Sequence, residues 1–472
     1  MTMSDARPIA NLRDAAAYLD GLINRERDPA YAYARLDLRP IHALLERLGR
    51  PEQSLSVIHV AGSKGKGSTC LFAEAILMSL GERVGCFTSP HLESWVERFR
   101  VDGKPVEDAL LVQAISRIRP IVDELRAGPR ETLPSFFDAT TAAAFLLFAE
   151  AGVDRALIEV GLGGRLDSTN VVDPVVTCIT SIELEHTDKL GETEAEIAGE
   201  KAGILKPDRP AVLGSLRPDA SRVIRTRARE LDVPVVAWGE DFEVTSTPAA
   251  SGGRDFVFRE GAGSGSTFEI RTTLATRGAA AMSNAALAIA SVRALDAYPD
   301  AEVESASVEA LARCVLPARI EVLSNDEEVI VDAAHTAESA RVLAKELESL
   351  APDGIELILS VSSDKNLDAL LDALLPMTHR VWVTRAEPTR SMATDVLAKG
   401  VRERAPGLRV EAVEDPENAA RRARSALSAG SKLCAAGSVY LAGAVRRALG
   451  PPPATPGATA SDPPNRAGSG SP

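Results

Sequence analysis

The segment VIHVAGSKGKGSTCLFAEAILMSL, Val57–Leu80, decides the fold of this chain. Its first four residues are apolar and predict a buried strand, and the glycine-rich stretch Ala61–Gly67 predicts a loop. Ser68 then opens an amphipathic segment in which Phe72, Ile76 and Leu80 recur at helical spacing, which predicts a helix that ends at Gly81. A strand, a glycine-rich loop and a helix in this order can hold phosphate, because backbone N–H groups and the helix N-terminus face the anion.

The loop and the start of the helix supply the expected nucleotide-binding residues, which are Gly62, Gly65, Lys66, Gly67 and Ser68. Lys66 can reach the terminal phosphates of a nucleotide, and the Ser68 hydroxyl can approach a magnesium ion. The loop is shorter than the common G-x-x-x-x-G-K-S/T pattern, since Val60 stands at the first glycine position and Gly67 at the hydroxyl position. Ordinary surface loops also contain Gly-Lys-Gly turns, but the flanking strand and helix favour nucleotide binding.

Composition limits the class of protein. A chain of 472 residues with 45% apolar and 25% charged residues is typical of a globular protein with two domains. A net charge of −14 argues against a nucleic-acid partner, because such partners need a basic surface. The five cysteines are scattered, which indicates free thiols rather than a disulfide or zinc framework. Neither a signal sequence nor a membrane span is recognisable, so we expect a cytoplasmic monomer without a membrane partner.

The order of strand and helix signals predicts two α/β domains and a tail. Residues 1–316 predict a phosphate-loop domain with a mostly parallel, doubly wound sheet, to which Phe242–Ile270 adds short antiparallel strands. A second alternating series from Val329 predicts a smaller Rossmann-like domain over 317–450, after the break at Leu316-Pro317. Residues 451–472 are rich in Pro, Gly, Ser and Ala, and predict a disordered tail.

Four polar residues fall at the predicted carboxyl ends of parallel strands, where ligands of such sheets collect: Lys66, Ser89, Glu159 and His186. Glycines follow Glu159 closely, so a bound ion could approach its carboxylate. A solvent-facing carboxylate and a structural histidine remain the alternatives for Glu159 and His186. Magnesium prefers oxygen ligands, so the residue types alone do not predict that these four form a metal site.

Longer motifs carry a resemblance to a known family. The chain resembles the folylpolyglutamate synthase/dihydrofolate synthase family of Mur-type amide ligases, in one colinear order over Leu36–Leu449. The matching segments are GSKGKGS, FTSPHL, ERFRVDG, SFFDATTAAAFL, EVGLGGRLDSTN, ITSIELEHTDKLG, EKAGILKP, VDAAHT and GSVYL. The segments EVGLGGRLDSTN and TSPH are highly specific to the family, and the C-terminal matches are looser.

The resemblance implies ATP and two magnesium ions as cofactors. It implies that Ser89, Glu159 and His186 hold magnesium, and that carbamylated Lys201 supplies an anionic oxygen to the second ion. By its residue type and position alone, Lys201 is expected to be a solvated helix residue. Lys66, Lys201, His186 and Glu159 then form the expected catalytic set.

The resemblance also assigns substrate contacts. The ATP contacts continue to Asn284, Arg319 and Asp332, and glutamate capture falls near His335 and Ser438. The pterin-side pocket maps to two short segments, with residues Ser135, Phe136, Phe137, Asp138, Leu166, Asp167 and Ser168. We expect Asp138 to hydrogen-bond the pterin and help choose the acceptor, or else to cap the helix that follows it.

The chain departs from the family pattern at four places. Asp138 stands where Glu is usual, and Ala280-Ala281 where His-Gln is usual. Thr336-Ala337 replaces Asn-Pro, and the segment 362–366, SSDKN, is only loosely similar to its counterpart. None of the four departures falls on an expected metal ligand, whereas Ala280-Ala281 and Thr336-Ala337 lie beside the expected nucleotide and glutamate contacts.

The implied activity is an ATP-dependent ligation of L-glutamate to the carboxylate of dihydropteroate or of a folate, through an acyl phosphate. Two alternatives remain open at this point. One is a Mur-type ligase for a different carboxylate acceptor, which the Asp138 change allows. The other is a weakly active ATP-binding paralogue with a regulatory role, which the Ala280-Ala281 change and the altered His335 segment allow.

Overall fold

The computed structural model describes residues 8–24, 36–249, 253–261, 268–323 and 326–450. The predicted disordered tail lies outside these residues. The chain divides into two compact units between Glu321 and Val322. This division falls a few residues after the predicted junction at Leu316-Pro317, so that Arg319 belongs to the first unit.

The first unit is built on one sheet of eight strands in the order β4-β3-β2-β5-β1-β6-β7-β8. The strands are β1 (Val57–Ala61), β2 (Val84–Phe87), β3 (Phe99–Val101), β4 (Lys104–Pro105), β5 (Arg155–Glu159), β6 (Val176–Ile179), β7 (Ala211–Leu213) and β8 (Val235–Ala237). All neighbouring pairs from β2 to β8 are parallel, and β3 and β4 join by antiparallel pairing. The prediction of a mostly parallel sheet is confirmed.

Ten helices accompany this sheet among the described residues of the first unit. They are α1 (Leu12–Asp20), α2 (Arg39–Arg47), α3 (Lys66–Ser79), α4 (Asp108–Arg126), α5 (Phe136–Ala151), α6 (Thr187–Leu190), α7 (Glu194–Ala202), α8 (Pro218–Glu230), α9 (Ala279–Arg293) and α10 (Asp300–Arg313).

Helices cover both faces of the sheet, and successive residues of β1 alternate between the two hydrophobic cores that result. Ile58 belongs to the core that holds Phe72 of α3, whereas its neighbour Val57 belongs to the core that holds Phe145 of α5. Successive strand residues point to opposite faces, so a strand whose residues are all buried must be packed on both sides. All five residues of β1 are buried, as a doubly wound sheet requires.

A small antiparallel sheet is added to the first unit, as the short alternating runs predicted. Its strands are β9 (Phe242–Pro248), β10 (Arg254–Glu260) and β11 (Phe268–Leu274), with β10 in the centre. Phe256 and Phe258 of β10 are buried in the same core as α3 and α9.

The second unit has its own sheet, in the order β12-β13-β17-β14-β15-β16. Its strands are β12 (Glu321–Leu323), β13 (Asp326–Val331), β14 (Ile355–Leu359), β15 (Thr378–Val383), β16 (Arg409–Ala412) and β17 (Lys432–Ala436). Its helices are α11 (Ala337–Leu350), α12 (Leu367–Leu374), α13 (Thr394–Arg404), α14 (Pro416–Ser425) and α15 (Val439–Leu449). The strands from β13 to β16 pair in parallel, which confirms the second α/β fold. In the described parts of both units, every helix is too short or too polar to cross a membrane.

Helix α3 differs from the sequence-based expectation in two respects. It begins at Lys66 rather than Ser68, and Gly65 precedes it with a positive φ of 85°. Its buried residues include Ser68, Thr69 and Glu74 as well as the apolar ones, so it is not an amphipathic surface helix. The sheet lies on one side of it and α9 and α10 on another, which explains the burial.

The substituted segment at the start of α11 keeps a working helix cap. The Thr336 side chain accepts a hydrogen bond from the Ser339 N–H at 3.3 Å, and Ser339 Oγ accepts one from the Thr336 N–H at 3.0 Å. Threonine therefore provides the side-chain oxygen that an asparagine would provide at this position.

We expect Thr336→Ala to lower the free energy of unfolding by about 0.5–2 kcal/mol, because the N-cap oxygen is lost. Urea unfolding followed by circular dichroism measures this loss. Thr336→Asn, which keeps a capping oxygen, should be close to the wild type. Equal losses in both variants would show that the cap does not stabilise α11.

Candidate active site

The carboxyl ends of three adjacent strands bring the central candidate residues together. Strand β1 lies between β5 and β6, so the loop after β1, Glu159 at the end of β5 and the segment after β6 are neighbours. Their side chains also interact electrostatically. The charge of Lys66 opposes the rise in pKa that burial causes at Glu159, and it contributes to the lowered pKa of Glu185. The strand ends therefore lie side by side as predicted, and the shared role of these residues as a site stays a prediction.

Two glycines let the phosphate loop approach its neighbours closely. Gly62 has a φ of 150°, and a Cβ atom there would overlap the Thr180 hydroxyl. Gly65 has a φ of 85°, and a Cβ atom there would overlap Oδ1 of Asn284 on α9. Only glycine combines these backbone angles with this closeness. Asn284 thereby reaches the phosphate loop, where the family resemblance places an ATP contact.

Hydrogen bonds tie the loop to the segment that follows β6. The Ser63 N–H donates to the Ser181 carbonyl at 2.8 Å, and the Lys64 N–H donates to Ser181 Oγ at 2.9 Å. The Thr180 hydroxyl donates to the Lys64 carbonyl at 2.5 Å, and the Glu183 N–H donates to Ser63 Oγ at 3.0 Å. These four hydrogen bonds hold the loop in a defined geometry against the segment after β6.

Glu159 is a buried carboxylate beside the phosphate loop. It is 5% exposed, and its Oε2 accepts a hydrogen bond from the Ser89 N–H at 2.8 Å. Burial raises the pKa of Glu159, and Lys66 and the Ser89 N–H oppose this rise. A Cβ atom on Gly67 would lie 3.1 Å from Oε2, so the helix N-terminus is close to this carboxylate. Arg319 also lowers the pKa of Glu159.

Lys66 points back across the phosphate loop. Its Nζ donates to the Gly62 carbonyl at 3.0 Å, in the space that the loop encloses. Ser68, one turn into the helix, is buried. Both side chains lie where the sequence placed them, next to the loop, and their contacts with a nucleotide stay predictions.

Lys201 is buried, contrary to the expectation for its residue type. It lies on α7 with 2% of its side chain exposed. Burial and the nearby Lys66 lower its pKa to about 7. At neutral pH a substantial fraction of the side chains is therefore the uncharged amine, which is the form that can react with carbon dioxide.

Sequence reasoning did not identify Glu185 as part of the site. Its Oε2 lies 3.1 Å from Lys64 Nζ, and its Oε1 lies 3.9 Å from Lys201 Nζ. Burial would raise the pKa of Glu185, but Lys64, Lys66, Lys201 and His186 together lower it. The only signal in the sequence was its position beside His186 after a strand, which does not reveal two lysine partners on other elements.

His186 has an unusual backbone but does not complete a metal cage. It immediately precedes α6 and has a φ of 49°, its side chain is exposed, and its charge acts on Glu185. Among the described residues, no three His, Cys, Asp or Glu side chains are arranged to hold a metal ion. The structure places Ser89 beside Glu159 and His186 beside Glu185, and their roles as magnesium ligands stay predictions.

Asp138 forms a capping box at the start of α5. Its Oδ2 accepts hydrogen bonds from the Ser135 N–H at 2.7 Å and the Ser135 hydroxyl at 2.5 Å. Its Oδ1 accepts from the Ser168 hydroxyl at 2.7 Å, and the side chain is buried. Asp138 therefore joins the two segments of the expected pterin pocket. The expectation that Asp138 precedes the helix and caps it is wrong, because Ser135 is the N-cap and Asp138 is the third residue of α5, where it completes the capping box. Its contact with a pterin stays a prediction.

The rest of the expected pterin pocket lies around the same two segments. Phe137 packs against Phe87 with ring centroids 6.0 Å apart, and a Cβ atom on Gly161 would overlap its ring. Leu166 packs against the core that holds α7 and α8. Asp167 is buried and accepts from the Thr169 hydroxyl at 2.5 Å, and burial raises its pKa to about 6.

A buried arginine that the sequence did not single out adjoins this pocket. The guanidinium of Arg98 lies over the ring of Phe136, 5.3 Å from its centroid, and its Nε donates to His91 Nδ1 at 3.1 Å. Arg98 also lowers the pKa of Glu159. Because arginine is always charged, a fixed cation acts on both the Phe136 ring and the Glu159 carboxylate.

The second unit gathers its own three candidates at one sheet edge. Asp332 follows β13, and its Oδ1 accepts from the Ala334 N–H at 2.7 Å. The Nδ1–H of His335 donates to the Ala333 carbonyl at 2.9 Å, which directs Nε2 away from the backbone. Ser438 caps α15 after the adjacent strand β17, and the Gly437 N–H donates to the Ala334 carbonyl at 2.7 Å.

The Ala280-Ala281 departure lies in the first turns of α9. Ala280 is exposed and Ala281 is buried, and Asn284 keeps its contact with Gly65. The smaller side chains therefore leave the asparagine in place.

Comparison with known proteins agrees with this arrangement. Residues 318–439 match the family model for the Mur ligase glutamate ligase domain. The chain is 36% identical over 409 residues to the dihydrofolate synthase/folylpolyglutamate synthase of Mycobacterium tuberculosis, covering 83% of each protein. The chain belongs to the dihydrofolate synthase/folylpolyglutamate synthase family.

Two solved structures of this family share the complete fold. Mycobacterium tuberculosis folylpolyglutamate synthase complexed with ADP superposes with a TM-score of 0.82 and 34% identity, covering 94% of this chain and 99% of that one. E. coli FolC in complex with DHPP and ADP superposes with a TM-score of 0.78 and 28% identity, covering 94% of this chain and 98% of that one. The folylpolyglutamate synthase fold is therefore confirmed over both units.

We expect Gly65→Ala to weaken ADP binding by more than about tenfold, because the added methyl displaces Asn284. Gly81→Ala is the matched control, since Gly81 has a φ of 88° with no atom within 4 Å of its Cβ position. Both variants carry similar backbone strain, of about 1–2 kcal/mol. Calorimetric titration with ADP should give a lower affinity for Gly65→Ala than for Gly81→Ala. Equal affinities of the two variants would contradict a role of the Gly65–Asn284 contact in nucleotide binding.

We expect Asp138→Asn to lower the free energy of unfolding by about 1–3 kcal/mol. The Asn side chain has one acceptor oxygen, whereas the Ser135 and Ser168 donors bond to both oxygens of the Asp138 carboxylate. Ser168→Ala, which removes only the Oδ1 donor, should cost less. Thermal unfolding measures both. A change in the ratio of dihydropteroate to tetrahydrofolate turnover without a change in melting temperature would show instead that the carboxylate faces the substrate.

Proposed function

We propose that this protein is an ATP-dependent ligase that joins L-glutamate to the carboxylate of dihydropteroate, of a tetrahydrofolate, or of both. The observation that supports this most directly is the phosphate loop beside two carboxylates and a buried lysine. Such a site can bind the phosphates of ATP and stabilise charge during phosphoryl transfer. Family membership and the relatives complexed with ADP and with DHPP support the same conclusion.

The reaction follows from what each group can do. A free carboxylate and an amine do not condense in water, so the acceptor carboxylate attacks the γ-phosphorus of ATP, ADP leaves, and an acyl phosphate forms. Lys66, which faces the loop interior, stabilises the negative charge of the phosphates in transfer. The amine of glutamate then attacks the acyl carbon and releases phosphate. The candidates for holding glutamate are His335 and Ser438, and Asn284, Arg319 and Asp332 are candidates for ATP.

The donor groups suit magnesium. The hydroxyl of Ser89 and the carboxylate of Glu159 belong to hydrogen-bonded neighbours, and both offer the oxygen atoms that magnesium prefers. The buried Lys201 amine can add carbon dioxide and so become a further oxygen donor, with His186 nearby on the adjacent segment. Magnesium held by these residues supplies positive charge to the phosphates of ATP. We further propose that the protein acts in the cytoplasm as a monomer.

The direct test is phosphate release that depends on both ATP and glutamate. Dihydropteroate and tetrahydrofolate are supplied separately to the purified protein, and products are identified by mass spectrometry. We expect a glutamylated product from at least one of them, with one phosphate released for each amide formed. ATP hydrolysis without an amide product from either acceptor would overturn the proposed substrate class.

We expect Lys201→Ala to lose nearly all ligase activity, and short-chain carboxylates such as acetate to restore part of it. The added carboxylate can occupy the space of the missing side chain and supply the lost oxygen. The control is Lys206→Ala, because Lys206 is also partly buried but bonds the Asn170 carbonyl instead. Full activity of Lys201→Ala without acetate would contradict the carbamate.

A further inference from the structure

Two charged residues of the site have no role in the reaction described above. Lys64 lies in the phosphate loop with its side chain 38% exposed, and Glu185 lies after β6 with its side chain 17% exposed. The carboxylate of Glu185 is placed between Lys64 and Lys201, at 3.1 Å and 3.9 Å. One carboxylate thus joins the phosphate loop to the helix that carries the reactive lysine.

Carbamylation of Lys201 changes the charge that Glu185 faces. The neutral amine attacks the carbon of carbon dioxide, one C=O π bond opens onto its oxygen, and the nitrogen releases one proton to solvent. A protonated Lys201 releases one further proton before it reacts, so that a cation or a neutral amine becomes an anion. An attraction between Lys201 and Glu185 then becomes a repulsion between two anions that are shielded from water. Glu185 must have another partner if both groups are to stay in place.

We propose that Lys64 and Glu185 are positioning residues for the carbamylation of Lys201. Lys64 remains the cationic partner of the Glu185 carboxylate when Lys201 changes from an amine to an anionic carbamate. This inference rests on the carbamylated Lys201 of the proposed function. Lys64 already holds the nearer contact with Glu185, whereas the contact with Lys201 is long. After carbamylation, Glu185 stays with Lys64 and the carbamate is free to face the phosphates.

The backbone around Lys64 supports this role. Its N–H donates to Ser181 Oγ and its carbonyl accepts from the Thr180 hydroxyl, so the start of its side chain is fixed relative to the segment that carries Glu185. Glu183, two residues earlier, holds Ser63 through its backbone. The pair therefore joins two segments that are already held together, and its distance does not depend on a mobile loop.

The test compares carbamate content in Lys64→Met, Glu185→Gln and the double variant. Each protein, free of metal and nucleotide, is equilibrated with 13C-bicarbonate, and the carbamate signal is measured by 13C NMR. Lys64→Met removes the nearest partner of Glu185 and leaves its ion-pair contact with Lys201, with Lys66 and His186 acting on it without such a contact. This variant should lower the carbamate content about tenfold. Glu185→Gln should stay near the wild type, and the double variant should recover what Lys64→Met lost.

Controls separate this effect from general damage. Lys64→Arg keeps the ion pair and should keep the carbamate, and Lys189→Met removes a similar charge from α6 and should leave the signal unchanged. In activity assays, Lys64→Met should lower kcat more than it raises the KM for ATP. A purely structural role of Lys64 would not produce recovery in the double variant.

The outcomes are distinguishable. A carbamate signal in the wild type that is unchanged in Lys64→Met overturns this inference and leaves the proposed function intact. Loss of signal in Lys64→Met without recovery in the double variant also overturns it. No carbamate in an active wild type overturns both the carbamate and this inference, but not the ligase activity.

Discussion

The close approach of the phosphate loop to its two neighbours is the constraint on which the site depends. Gly62 lies against Thr180 and Gly65 against Asn284, at distances that leave no room for a Cβ atom. This packing holds the strands β1 and β6 and the helix α9 around one loop. The glycines therefore do more than turn backbone N–H groups toward phosphate, because they also determine which side chains surround it.

The charges of the site form one connected group. Lys64, Lys66 and Lys201 face Glu159 and Glu185, and each affects the pKa of another. A buried charge costs free energy unless a charge of opposite sign lies near it, so each of these groups depends on the others to offset the cost of its burial. A bound nucleotide brings further negative charge, which the lysines of this group are suited to accept.

The sequence predicted the fold and the central residues for identifiable reasons. Apolar runs and glycine loops follow local rules, and the ends of adjacent parallel strands must meet, so Lys66 and Glu159 could be placed in one site. The burial of Lys201 could not be predicted, because it depends on which face of α7 packs inward. The bridge from Glu185 to Lys64 and Lys201 joins three separate elements, and no local pattern reveals such a contact. The hydrogen bonds of Asp138 to Ser135 and Ser168 could not be predicted either, because Ser168 comes from a distant part of the chain.

The central claim is that the acceptor carboxylate is activated as an acyl phosphate at this loop. Transfer of 18O from a labelled dihydropteroate or tetrahydrofolate carboxylate tests it most directly, by mass spectrometry of the phosphate released. If the carboxylate attacks the γ-phosphorus of ATP, each amide formed should place one labelled oxygen in the phosphate and retain the other in the amide. An amide product accompanied by unlabelled phosphate would contradict the account.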